Sequence, residues 1–212
     1  DFETDSIRGF HNSNAWTLGF SCSETGISVI TNSGANWFVL NTNQNKIEDS
    51  VIFPEKLTWD YDQQSFFPDS LAINHWITIS GNDTTYSNHV ILVGKFNGTG
   101  YSNIFRVQFL KVDRNKFIFC YKLNSSSETP DTITISKLPE KNFIYFSFDD
   151  FSVKDLEPAR QDYDVIFGPY YDIVTQLGVT APYLVRGVLL NNSSLACIDS
   201  LYSFKNITFE NI

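Results

Sequence analysis

Phe105-Arg106-Val107-Gln108-Phe109, then Asp113-Arg114-Asn115, then Phe117-Ile118-Phe119-Cys120-Tyr121, is the stretch that decides the fold class. In each flanking run every second residue is large and apolar, the period of a strand, which puts one face inward and leaves the other half-solvated. The Asp-Arg-Asn segment has hairpin-loop chemistry, because short polar side chains bond to nearby backbone. The stretch therefore predicts two antiparallel neighbours.

The same grammar extends outward. Asn97-Gly98-Thr99-Gly100 reads as another hairpin loop, and Trp16-Thr17-Leu18-Gly19-Phe20 alternates like the first pair. Val90-Ile91-Leu92-Val93 and Val188-Leu189-Leu190 are continuous apolar runs, expected to be buried on both faces. No stretch keeps apolar residues at helical spacing for three turns, and only the segment near Leu201-Tyr202-Ser203-Phe204 reads as one helical turn. The expectation is an all-β, antiparallel, sandwich-like fold with little helix, as one domain over residues 1–212.

Composition sets limits on function. With 42% apolar and 16% aromatic residues the chain has ample material for a core. A formal charge of −9 and a pI near 4.7 argue against nucleic acid and anionic lipid as partners, since binding phosphates takes clustered cations. No apolar run approaches the length of about 20 residues that spans a bilayer, and Asp1-Phe2-Glu3-Thr4 is not a signal peptide. Either a cytosolic protein or a mature form trimmed of its leader and lipid-bearing cysteine accounts for that start.

Cys22, Cys120 and Cys197 have neither disulfide-framework nor zinc spacing, so each reads as a small buried residue. Asn82-Asp83-Thr84 and Asn206-Ile207-Thr208 are glycosylation triplets in form only, in a chain rich in Asn and Ser. Residues 14–45 and 161–195 read as related units: Trp16 to Phe20 parallels Tyr163 to Phe167, and Trp37 to Asn41 parallels Gly187 to Asn191.

Asp162-Tyr163-Asp164-Val165-Ile166-Phe167, followed by Tyr170 and by Pro182-Tyr183-Leu184-Val185-Arg186-Gly187-Val188-Leu189-Leu190-Asn191, resembles the closing block of the longer HmuY-like haem-binding lipoproteins of the Bacteroidota. Trp76-Ile77-Thr78-Ile79-Ser80, Ser87 to Val93 and Phe105 to Phe109 are similar, in order and spacing, to consecutive strands of the shorter members. The resemblance implies a secreted or outer-membrane surface lipoprotein that takes haem, as cargo, from host haemoproteins and delivers it to a TonB-dependent outer-membrane receptor. The chain departs from the best-known ligand sets. Ser80 is followed by Gly81 where those members place an axial histidine, no histidine lies between His11 and His75, and there is no methionine.

Haem iron accepts histidine, cysteine thiolate or tyrosine oxygen. His89, at the start of a strand, is the first candidate for the haem-binding metal ligand. His75, on the preceding strand, is the second, because antiparallel pairing could bring the two imidazoles together. Tyr86 is the oxygen candidate, and His11 stands in a polar stretch that reads as solvated. Lys95 and Arg106 are candidate partners for the haem carboxylates. Histidine ligation predicts weaker binding below the free imidazole value of about 6.5.

Catalysis has little sequence support. There is no nucleophile elbow, zinc-protease helix, P-loop or dinucleotide fingerprint. The pairs Asp60 with Asp62 and Asp149 with Asp150 read as solvated turn residues. The expectation is a non-enzymatic haem carrier; the alternative is the same fold binding another iron compound, a glycan or a host protein.

Overall fold

The computed structural model describes residues 6–49, 51, 58–63, 71–81 and 83–196. Among these the strands in chain order are β1 (Leu18–Ser21), β2 (Val29–Thr31), β3 (Trp37–Gln44), β4 (Ile77–Ser80), β5 (Asp83–Tyr86), β6 (Val90–Phe96) and β7 (Tyr101–Val112). They continue as β8 (Lys116–Leu123), β9 (Asp131–Ser136), β10 (Phe143–Ser147), β11 (Ser152–Lys154), β12 (Val165–Gln176) and β13 (Val179–Leu190). One 3-10 turn, Ser33–Ala35, is capped by the Asn32 side chain, whose oxygen accepts from the Ala35 N–H at 3.1 Å. The fold is all-β and antiparallel, as the alternation predicts. Leu201 to Phe204, Cys197, Asn82 and Asn206 to Thr208 lie outside the described residues.

Two sheets face one another. One runs β11-β10-β1-β2 and the other β3-β6-β7-β8-β9. Because side chains alternate across a strand, Leu18, Phe20, Ile144 and Phe146 of the first meet Val107, Phe109, Phe117 and Phe119 of the second in one buried cluster. Phe20 lies 5.3 Å from both Phe117 and Phe119, and Phe119 meets Phe146 edge-on at 5.3 Å, the offset geometries that aromatic quadrupoles favour. The loops behave as their residues predict. The Asp113 carboxylate accepts from the N–H groups of Asn115 and Lys116, and the Asn97 side chain accepts from those of Thr99 and Gly100.

The outer face of β7 differs from expectation. Arg106 and Gln108 alternate away from the core, yet they are buried, because loops from 45–49 and 124–126 fold over them. Arg106 donates to the carbonyls of Ile47, Glu48, Asp49, Asn124 and Ser126, and Gln108 to those of Asn45 and Asn88. Arg106 is thus committed to backbone. Lys95 is committed as well, 3.5 Å from the Asp149 carboxylate and over the Trp37 ring.

Two hairpins stand apart from the main sheets. The β4–β5 hairpin closes one end of the core through Trp76, 5.1 Å from Phe109. β12 and β13 form a ribbon of twelve residue pairs, turned by Leu177 and Gly178, both at positive φ, as a two-residue primed turn requires. Pro169 and Pro182 are accommodated because, among the described residues, each strand is paired along one side only, apart from one bridge between Gln63 and Tyr171. The same exposure corrects the expectation for Val188 and Leu190, which are about half exposed instead of buried on both faces.

The stretches that read alike at 14–45 and 161–195 are built differently. β1 pairs with β2 and β10 while β3 joins the opposite sheet, whereas β12 and β13 pair directly with each other.

Candidate functional site

The histidines and the tyrosine chosen from sequence converge on one place. Ile77 pairs with Tyr86, and the Ser87 N–H donates to the Trp76 carbonyl, so His75, Tyr86 and His89 all stand at the open end of the β4–β5 hairpin. Trp76 turns inward, and His75, at φ 55°, turns out to solvent with His89. The Tyr86 ring stacks near Trp76, and its hydroxyl is used twice, donating to the Val112 carbonyl at 3.1 Å and accepting from the Val112 N–H at 3.2 Å. An iron–phenolate bond there has to displace both.

The larger apolar hollow lies elsewhere. On the outward face of the β11-β10-β1-β2 sheet, Ile30, Phe143 and Tyr145 form a second buried cluster with Trp16 and Leu156. Gly19 lets Ile30 and Tyr145 close over this face, since a Cβ there would come within 2.8 Å of Ile30 and 3.1 Å of Tyr145. The ribbon roofs it. Ile166 and Tyr170 of β12 and Leu189 of β13 face it from above, and residues 6–11 close one side. The result is a cavity of about 570 Å³, within the range of roughly 300–1,000 Å³ typical of small-molecule pockets. Neither this cavity nor the polar one described below is lined by His75, Tyr86 or His89.

Close contacts with the body of the molecule hold the ribbon in place. Gly34 lies so close to Pro169 that a Cβ would stand 2.1 Å from the Pro169 carbonyl oxygen, a position only glycine tolerates. Tyr171 enters an aromatic cluster, 5.5 Å from Phe38 and 5.2 Å from Tyr61.

Two buried carboxylates form part of the wall. Glu157 accepts from the Tyr145 hydroxyl, from the Tyr163 hydroxyl at 3.4 Å, and from the N–H groups of Asn142 and Phe143. Burial raises its pKa against the pull of those four donors, and burial together with the adjacent Glu157 charge raises those of Tyr145 and Tyr163. Asp62 accepts from the Thr31 N–H and hydroxyl and from the Ala72 N–H, and burial nevertheless pushes its carboxyl up to about 6. It is a structural acid set inside the molecule and not the solvated turn residue its spacing predicts. Asp149 and Asp150 answer to Lys95 and Lys154 respectively.

His11 is the histidine that lines this cavity. Its Nδ1 lies 3.1 Å from the Asn12 carbonyl oxygen. Either ring nitrogen of a neutral imidazole can serve as an axial ligand, and His11 is itself exposed to solvent. The polar stretch around His11 does not by itself signal a cavity, because much of the apolar wall, Phe143, Tyr145, Ile166 and Leu189, comes from residues more than 100 positions away. Among the described residues no three His, Cys, Asp or Glu side chains gather as a metal-binding group. Compared with known proteins, the chain matches no family model, no curated protein and no solved structure.

Proposed function

We propose that this protein is a non-enzymatic carrier of haem, seated as cargo between the β12–β13 ribbon and the outward face of the β11-β10-β1-β2 sheet. One observation carries the reading: a cavity of about 570 Å³ with aromatic and aliphatic walls has a histidine in its lining. Apolar walls favour a flat tetrapyrrole by removing it from water. Nε2 of His11 supplies the axial bond. The buried carboxylates of Asp62 and Glu157 repel negative charge at the wall, so the haem carboxylates belong at the mouth, in water. The resemblance in sequence adds the setting: an outer-membrane surface or secreted protein that receives haem from host haemoproteins and passes it to a TonB-dependent receptor.

Titration with ferric haem tests this in the wild type and in His11→Ala, His75→Ala and His89→Ala. The expected result is a saturable Soret shift that His11→Ala abolishes and the other two variants retain. Loss of the shift in His75→Ala or His89→Ala, with His11→Ala unaffected, would move the haem to the β4–β5 hairpin. No saturable shift in the wild type would end the haem reading.

A further inference from the structure

Arg106 of β7 and Lys122 of β8 stand directly opposite one another in the sheet, on the face turned away from the core. Like charges in that position repel. Both are more than nine-tenths buried, at 4% and 6% exposure. Among the described residues neither has a carboxylate within 4.0 Å; the ion pairs there are Lys95–Asp149, Lys111–Asp113, Lys141–Asp155 and Lys154–Asp150. Carbonyl oxygens take up the Arg106 terminal nitrogens, but its Nε–H is buried with no acceptor. Lys122 gives one of its three protons to the Glu128 carbonyl. Two desolvated positive charges without a counter-charge are unfavourable unless something neutralises them.

A second cavity opens on this pair, about 540 Å³ in volume and lined by Arg106, Lys122, the Asn124 side of the loop, and the hydroxyl-bearing Ser125, Ser127 and Thr129. The Glu48 and Glu128 side chains stand exposed at its rim. Anchoring of the 47–49 and 124–126 loops takes up the Arg106 terminal nitrogens; Lys122 ties the same loop down at Glu128 and has two protons left to give.

The geometry points to a binding site for a carboxylated sugar, a uronic or related sugar acid, with its carboxylate on Lys122 and the buried Arg106 charge behind it. Hydroxyl groups of the 125–129 loop match the ring hydroxyls of such a ligand. An inorganic ion is too small a guest, since the cavity of about 540 Å³ has room for many times the ~30 Å³ of a water molecule. The rim carboxylates, in turn, reject ligands of higher negative charge.

Calorimetric titration with D-glucuronate, D-glucose and inorganic sulfate, on the wild type and on Lys122→Gln, tests the assignment. The expected result is measurable binding of glucuronate, none of glucose, weaker binding of sulfate, and a loss of about tenfold or more in glucuronate affinity in Lys122→Gln. Glucuronate binding no better than that of glucose or sulfate overturns the proposal, as does an unchanged affinity in a folded Lys122→Gln. Should that variant not fold, the comparison of the three ligands on the wild type decides alone.

Discussion

Gly19 pairs with Tyr145 across β1 and β10, and the ring of Tyr145 leans over the space that a side chain at position 19 would fill. Trp16 packs 4.7 Å from the same Tyr145 ring, and Trp16 and Tyr145 both line the cavity beneath the ribbon. Gly19→Ala is expected to cost about 1–3 kcal/mol through overpacking, because the nearest contact, Ile30 Cγ1 at 2.8 Å, is not the free end of a side chain. Thermal unfolding checks this. For a chain of this length a drop of roughly 2–4 °C per kcal/mol follows, and an unchanged melting temperature would show that the floor is not packed as described.

Gly34 and Pro169 make a different prediction. A methyl group at position 34 collides with backbone and not with a movable side chain. Gly34→Ala therefore lifts β12 from the sheet and weakens haem binding by about tenfold or more, whereas Gly100→Ala, where open space surrounds the site, leaves haem binding unchanged. Equal haem affinity in both variants would dissociate the ribbon from the site.

Asp62 should give the stability profile an unusual sign. Its carboxyl titrates near 6 in the folded protein against 3.8 as the ordinary value, so the folded state holds its proton longer than the unfolded state does. The associated stability is fully present below about 4 and is lost as the pH rises through 6, a change of about 3 kcal/mol. Denaturant unfolding of the wild type and Asp62→Asn at pH 4, 5, 6 and 7 measures it. The difference between the two proteins should shift across that window, and a difference independent of pH contradicts the assignment.

Cys22 and Cys120 are free, buried thiols, and burial raises the pKa of both, that of Cys120 to about 11. Since the thiolate is the reactive form, alkylation at pH 8 followed by peptide mapping should leave both unmodified in the native protein and modify both in denaturant. Rapid native labelling of either would mean that its part of the core opens readily.

The strands were legible because their information is local. Alternation in Phe105 to Phe109 and Phe117 to Tyr121, and the Asp113 and Asn97 loops, each need only a few neighbouring residues to be read. Burial of Arg106 was not legible, because it depends on loops some 18 and 60 positions away folding over one face. The exposed Val188 read like buried Val90, since composition does not say how many neighbours a strand will have. The cavity was hidden for the same reason. Its walls come from residues 6–11, the first sheet and the late ribbon, and the nearby histidine sits in a polar stretch. Sequence reasoning placed its candidates on the Trp76 hairpin, where Trp76 itself is core and the histidines face water.

Hydrogen–deuterium exchange with and without one equivalent of ferric haem tests the central claim most directly, because it reports where the ligand sits without altering the chain. Haem held under the ribbon slows exchange around His11, in Phe143 to Tyr145 and in Ile166 to Tyr170, and leaves Ile77 to Tyr86 unchanged. Protection confined to Ile77 to Val90, or none anywhere, would contradict it.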